Sequence, residues 1–174
     1  DGVAEADIRR QAEAGDVGAQ RHITHLESEL AMERGRRALV WLKKSADQEL
    51  AIAEYELALG YVGQTGLMLL PRDVDTFLKL LKKTAAEGYA PAQNRIGTML
   101  ITGATLPLDL PAGIEWLRKA ADQNHPQALL NLARHYACGN GEPRHSGETV
   151  VALLRKAAQA GVAEAQYLLA ERRP

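Results

Sequence analysis

Apolar positions in this chain fall into a short phrase that returns, not into one long stripe. The phrase is clearest in WLRKAADQNHPQA at 116–128, where a helical pattern runs into a polar turn. Relatives stand at 41–53 (WLKKSADQELAIA), 80–92 (LLKKTAAEGYAPA) and 153–165 (LLRKAAQAGVAEA), with a worn copy, DIRRQAEAGDVGA, at 7–19. Aligned on the apolar residue before the basic pair, the anchors are Ile8, Leu42, Leu81, Leu117 and Leu154, at steps of 34, 39, 36 and 37 residues. A period of this length means stacked helix pairs, because one pair alone cannot bury its apolar face.

Each unit reads as two helices. The one carrying the anchor, helix B, is expected to start after a capping side chain eight positions earlier, Asp73, Asp109 or Ser146, whose oxygens accept from the free amides of a first turn. Its apolar stripe keeps helical spacing, as in Ile114, Leu117 and Ala121 or Val151, Leu154 and Ala158. Gly88, Asn124 and Gly161 mark its end, being residue types that adopt the left-handed backbone closing a helix. Pro91 and Pro126 then suit the first turn of the next helix.

Helix A starts at the last alanine of the phrase. Ala92, Ile96, Gly97, Leu100 and Gly103 recur as Ala128, Leu132, Ala133, Tyr136 and Gly139, and Ala53, Leu57, Ala58 and Tyr61 match the same frame. Small residues on both helices, Ala46, Ala85, Ala121 and Ala158 facing Ala58, Gly97 and Ala133, are expected to let the backbones approach closely. The phrase is then the hinge between helix B of one unit and helix A of the next.

The A-x-x-x-L-A-x-x-Y-x-x-G of 128–139, the Asn-Gly that follows it and the W-L-R-K-A-A of 116–121 resemble the Sel-one-like repeat family, a relative of the tetratricopeptide repeats. The resemblance recurs in register over residues 7–172. It implies an all-α fold, a right-handed solenoid of antiparallel helix pairs, and a role in binding other proteins. The whole chain, 1–174, is expected to form a single array with units at 1–34 (partial), 35–73, 74–109, 110–145 and 146–174 (partial). The first unit departs from the pattern at Thr24 and Glu27, and TGLMLLPRD at 65–73 lengthens the second.

Composition narrows the function classes. Against 22 acidic residues stand 21 basic ones, so the net charge is −1, and neither nucleic acid nor an anionic membrane is the expected partner. No apolar run reaches the ~20 residues that span a bilayer. The start at Asp1 reads as a processed product whose signal peptide would have been removed, which suits a periplasmic or cell-envelope location and otherwise the cytoplasm. Cys138 is the single cysteine and is expected to be a small packed residue. The histidines His22, His25, His125, His135 and His145 form no nucleophile–base signature, and the His135–Cys138 spacing supplies two ligands where a zinc site needs more, so they are expected at surfaces or interfaces. Gly139-Asn140-Gly141 lacks the preceding strand and following lysine of a phosphate loop. The expectation is a non-enzymatic protein with no cofactor and no metal, with a metal-dependent protein, for which only the His135–Cys138 spacing speaks, as the alternative.

In tetratricopeptide-like solenoids helix A lines the concave face. The groups two, six and nine residues after each starting alanine would then point inward, which selects Arg21, His25 and Ser28, then Tyr55, Leu59 and Val62, then Asn94, Thr98 and Ile101. Further along, Leu130, Arg134 and Ala137 and finally Tyr167 and Glu171 follow. Aromatics, arginines and aliphatics of this kind carry binding energy in protein interfaces. Leu67, Met68, Leu69 and Leu70 form an apolar loop that is expected to cover helix edges, with contact to a partner as the other reading. Two partner types fit the resemblance. One is a secreted phospholipase effector neutralised by a bacterial periplasmic immunity protein, and the other is cell-envelope machinery such as that of alginate secretion, held together by a scaffold.

Overall fold

The computed structural model describes residues 2–14, 16–65, 70–138 and 147–171, and all regular structure among them is helical. The order is α1 (Gly2–Glu13), α2 (Val17–Ala46), α3 (Ala51–Tyr61), α4 (Val74–Ala86), α5 (Ala90–Thr102), α6 (Leu110–Asp122), α7 (Pro126–Cys138), α8 (Gly147–Gln159) and α9 (Ala163–Glu171). Helices α3, α5, α7 and α9 are A helices, and α4, α6 and α8 are B helices. The chain divides into two compact units, Asp1–Val74 and Asp75–Pro174.

In the second unit the repeat behaves as its sequence implies. The anchors Leu81, Leu117 and Leu154 are buried, and so are Ala85, Ala120, Ala128, Ala157 and Ala165 around them. Each fully buried leucine contributes about 1.5–3 kcal/mol, and the alanines beside it let the helices close. Asp109 caps α6 by accepting from the Ala112 amide at 3.1 Å. Among the described residues, the exit position seven residues after the anchors Leu42, Leu81, Leu117 and Leu154 is left-handed, at Glu49 (φ 59°), Gly88 (96°), Asn124 (59°) and Gly161 (88°). Sequence alone pointed to three of these; Glu49 lacks the usual residue type and adopts the conformation nonetheless.

A second periodic device had no signal in the apolar pattern. The residue after the last alanine of the phrase is a glutamine in three copies, and each donates from Nε2 to a carbonyl eight residues back. The bonds are Gln20 to Ala12 O (3.0 Å), Gln93 to Ala85 O (3.1 Å) and Gln166 to Ala158 O (3.2 Å). They tie the first turns of α2, α5 and α9 to last-turn carbonyls of the preceding helix, groups that lack an intrahelical donor. Gln123 extends the tie between repeats by donating to Gln93 Oε1 (2.8 Å) and Gly88 O (3.0 Å).

The first unit departs from the expected helix pairs. Where a break between 1–34 and 35–73 was expected, α2 runs unbroken for 30 residues. The capping position eight before Leu42 is Arg34, no proline intervenes, and the segment ELAMERGRRA is built of strong helix formers. Gly35 costs about 1 kcal/mol in a helix, and Glu33 offsets part of this by pairing with Arg36 (3.7 Å) and Arg37 (3.2 Å). Leu67, Met68 and Leu69 lie outside the described residues. Leu70 packs on α3, its Cδ1 only 2.9 Å from where a Cβ on Gly60 would sit.

Candidate functional site

The A helices of the second unit, α5, α7 and α9, form a row whose side chains meet from one helix to the next. Between α5 and α7, Asn131 Nδ2 donates to Asn94 Oδ1 at 3.0 Å and to Thr98 Oγ1 at 3.3 Å. Gln127 Nε2 in turn donates to Asn131 Oδ1 at 3.3 Å, and Thr98 Oγ1 donates to the Asn94 carbonyl at 2.9 Å. Between α7 and α9, the Arg134 guanidinium pairs with Glu164. One turn on, the Tyr167 hydroxyl donates to Glu171 Oε1 at 2.6 Å. That hydrogen bond holds the phenol above the ordinary tyrosine pKa, because the carboxylate accepts from the protonated form and so favours it.

The row is polar, cross-linked and accessible at its far end, where the Arg134 side chain is 53% exposed and Tyr167 61%. Exposed ion pairs of this kind contribute little to stability. Their consequence is orientation: each holds a long side chain in place before anything binds.

The sequence-derived residues divide accordingly. Asn94, Thr98, Arg134, Tyr167 and Glu171 belong to this row. Leu130 does not, being 1% exposed and part of the hydrophobic core. Helix α7 packs against both α6 and α8, so burial extends round it to Leu130, and the neighbouring Asn131 takes the outward position. Ile101 is half-buried against the same core. In the first unit, Tyr55, Leu59 and Val62 are half-buried on and just after α3, and His25 is exposed with Nε2 3.5 Å from Glu29. The Arg21 side chain lies outside the described residues. Asn131, Gln127 and Glu164 were missed, since a rule fixed to single registers passes over their positions.

Two further expectations are corrected. Cys138 is exposed, as the last residue of α7. His135 is buried at 8% exposure, with no hydrogen-bond partner for Nε2 among the described residues, so it is a core residue and not a surface one. No cluster of three or more His, Cys, Asp or Glu side chains able to hold a metal occurs among the described residues. No helix among them is long and apolar enough to cross a membrane.

The family model for the Sel1 repeat matches residues 32–50, 51–89, 90–125 and 126–162. Among curated proteins, the chain is 34% identical over 98 residues to chitin synthase regulatory factor 3 of Schizosaccharomyces pombe, a match covering 56% of this chain and 10% of that protein. It is 32% identical over 149 residues to the chitin synthase regulator SKT5 of Malassezia restricta, covering 82% and 10%. The chain therefore spans about a tenth of the length of these relatives. Among solved structures, a Sel1 repeat protein from Oxalobacter formigenes superposes with a TM-score of 0.68 at 28% identity, over 78% of this chain and 98% of that one. The protective antigen c5321 of uropathogenic Escherichia coli does so with 0.64 at 30% identity, over 74% and 27%.

Proposed function

Because the chain belongs to the Sel1 repeat family, we propose that it works as a non-enzymatic docking array, binding a protein partner through the A-helix row. The observation that carries this reading is the ordered surface of α5, α7 and α9. Arg134 and Tyr167 stand exposed on it and are held by Glu164 and Glu171, while amide groups cross-linked through Asn131 lie beside them. Arginine and tyrosine bring large contact area, and side chains already fixed lose less entropy on binding.

Of the two partner types, an assembly that makes or exports a cell-envelope polysaccharide is the one we favour, with the chain as its adaptor. Two curated relatives are named as regulators of chitin synthase, itself a polysaccharide-making enzyme, and this supports an adaptor. The reading as a periplasmic immunity protein against a secreted phospholipase draws on family resemblance alone. The test is affinity capture from the source cell with wild type and an Arg134→Ala/Tyr167→Ala variant of unchanged helical spectrum. Components of a polysaccharide-synthesis assembly, held by the wild type and lost from the variant, are the expected result. A secreted lipase held instead would reverse the choice.

A further inference from the structure

A second docking feature lies away from the A-helix row, between the B helices α4 and α6. There an open apolar groove of about 560 Å³ has Ile96 and Leu100 of α5 as its floor. The Leu106–Leu108 turn and Trp116 form its walls, and Lys82 stands at the rim. Leu108 is 64% exposed, and Lys82 is exposed without an ion pair or hydrogen bond to any described residue.

What such a groove holds can be read from the next repeat. Stepping from the anchor Leu81 to Leu117 turns Lys82 into Arg118, and the matching step along helix A turns Leu100 into Tyr136. At that equivalent place the protein fills the space itself. Tyr136 is buried, and Arg118 Nε donates to its hydroxyl at 2.8 Å. The guanidinium carbon also lies 5.8 Å from the ring centroid, a cation–π distance. In the α4–α6 groove the ring is missing, because leucine stands where the tyrosine would, while a cation remains at the matching rim position.

The geometry points to this groove as the receptor for a tyrosine side chain of a partner protein. The ring would lie on Ile96 and Leu100 against Trp116, and Lys82 would donate to its hydroxyl as Arg118 donates to Tyr136. The hydroxyl matters because a buried phenol needs a partner. The apolar floor supplies the contact area, and the lysine supplies the selectivity.

The test uses the full chain and an acetylated, amidated Gly-Gly-Tyr-Gly-Gly peptide, followed by NMR with the Trp116 indole N–H as reporter. Saturable shifts at Trp116 and Leu108 are expected. Binding should weaken about tenfold in Lys82→Ala and about tenfold for the phenylalanine peptide, and should persist in Arg134→Ala/Tyr167→Ala, which touches only the other face. A Leu100→Tyr/Lys82→Arg variant should close the groove as the next repeat does and abolish binding at raised thermal stability. If that variant does not fold, the exposed Lys82→Ala comparison decides alone. No shift at Trp116, equal binding of the phenylalanine peptide, or binding unchanged in Lys82→Ala would overturn the assignment.

Discussion

Gly97 on α5 and Gly113 on α6 face each other so closely that neither has room for a side chain. A Cβ on Gly97 would lie 2.8 Å from the Gly113 carbonyl oxygen, and one on Gly113 would lie 2.9 Å from the Gly97 oxygen and 2.7 Å from Ile101 Cγ1. Backbone oxygens cannot swing aside as a side chain can, so either alanine forces the helices apart. An alanine gains up to about 1 kcal/mol of helix propensity, against about 1–3 kcal/mol for overpacking. Gly113→Ala is therefore expected to lose up to about 2 kcal/mol in urea denaturation. A stabilised Gly113→Ala would mean that the two backbones are not in contact.

The small-residue pattern at Gly97 was legible in the sequence, but its partner was not. Apolar spacing suggested the alanine four residues after the anchor of helix B. The structure places Gly113 there, four residues before Leu117, where other copies carry Phe77 and Val150. Which row of one helix meets the next depends on the crossing angle, and periodicity does not carry that angle. For the same reason Leu130 and Asn131 exchanged roles. The helix pairs, the left-handed exits and the Asp109 cap were readable because each depends on a residue and its immediate neighbours.

Glu49 offers the reverse test. It holds a left-handed backbone at φ 59°, which costs an ordinary residue about 1–2 kcal/mol. Glycine removes that strain but adds freedom to the unfolded chain, worth about 0.4–1 kcal/mol. Glu49→Gly is expected to raise stability by a net ~0.5–1 kcal/mol, visible as a higher urea midpoint. A lower midpoint would show that the exit after α2 is not left-handed in solution.

Glu54 occupies the register that Gln20, Gln93 and Gln166 hold in other copies, and it is buried. In those copies the amide donor ties the helix to the alanine carbonyl eight residues back. Gln93→Ala is expected to lose on the order of 1 kcal/mol or more, and Gln166→Ala, which removes the same tie at α9, a similar amount. Equal and unchanged melting temperatures for both variants would remove the glutamine tie from the account.

His125 gives the protein a pH dependence. Its Nδ1 accepts from the Ala128 amide at 3.2 Å, capping α7, and burial lowers its pKa below 6.5. The fold thus favours the neutral ring. The contribution is present above the unfolded-state value and is lost as pH falls through the lowered folded value. Stability should decline as pH falls below about 7, and His125→Asn, which caps without titrating, should flatten that part of the curve. An identical slope in the variant would assign the effect to other groups.

On the function proposed above, a partner docks on the ordered face of α5, α7 and α9. Calorimetric titration of the partner obtained by capture, against wild type and against Arg134→Ala/Tyr167→Ala of matched helical content, tests it most directly. Each truncation is expected to cost about 1–3 kcal/mol in binding, so the double variant should bind at least tenfold more weakly. Salt should affect the wild-type affinity only mildly, as the chain is nearly neutral. Wild-type affinity in the folded double variant would contradict the claim and move the docking site off the A-helix row.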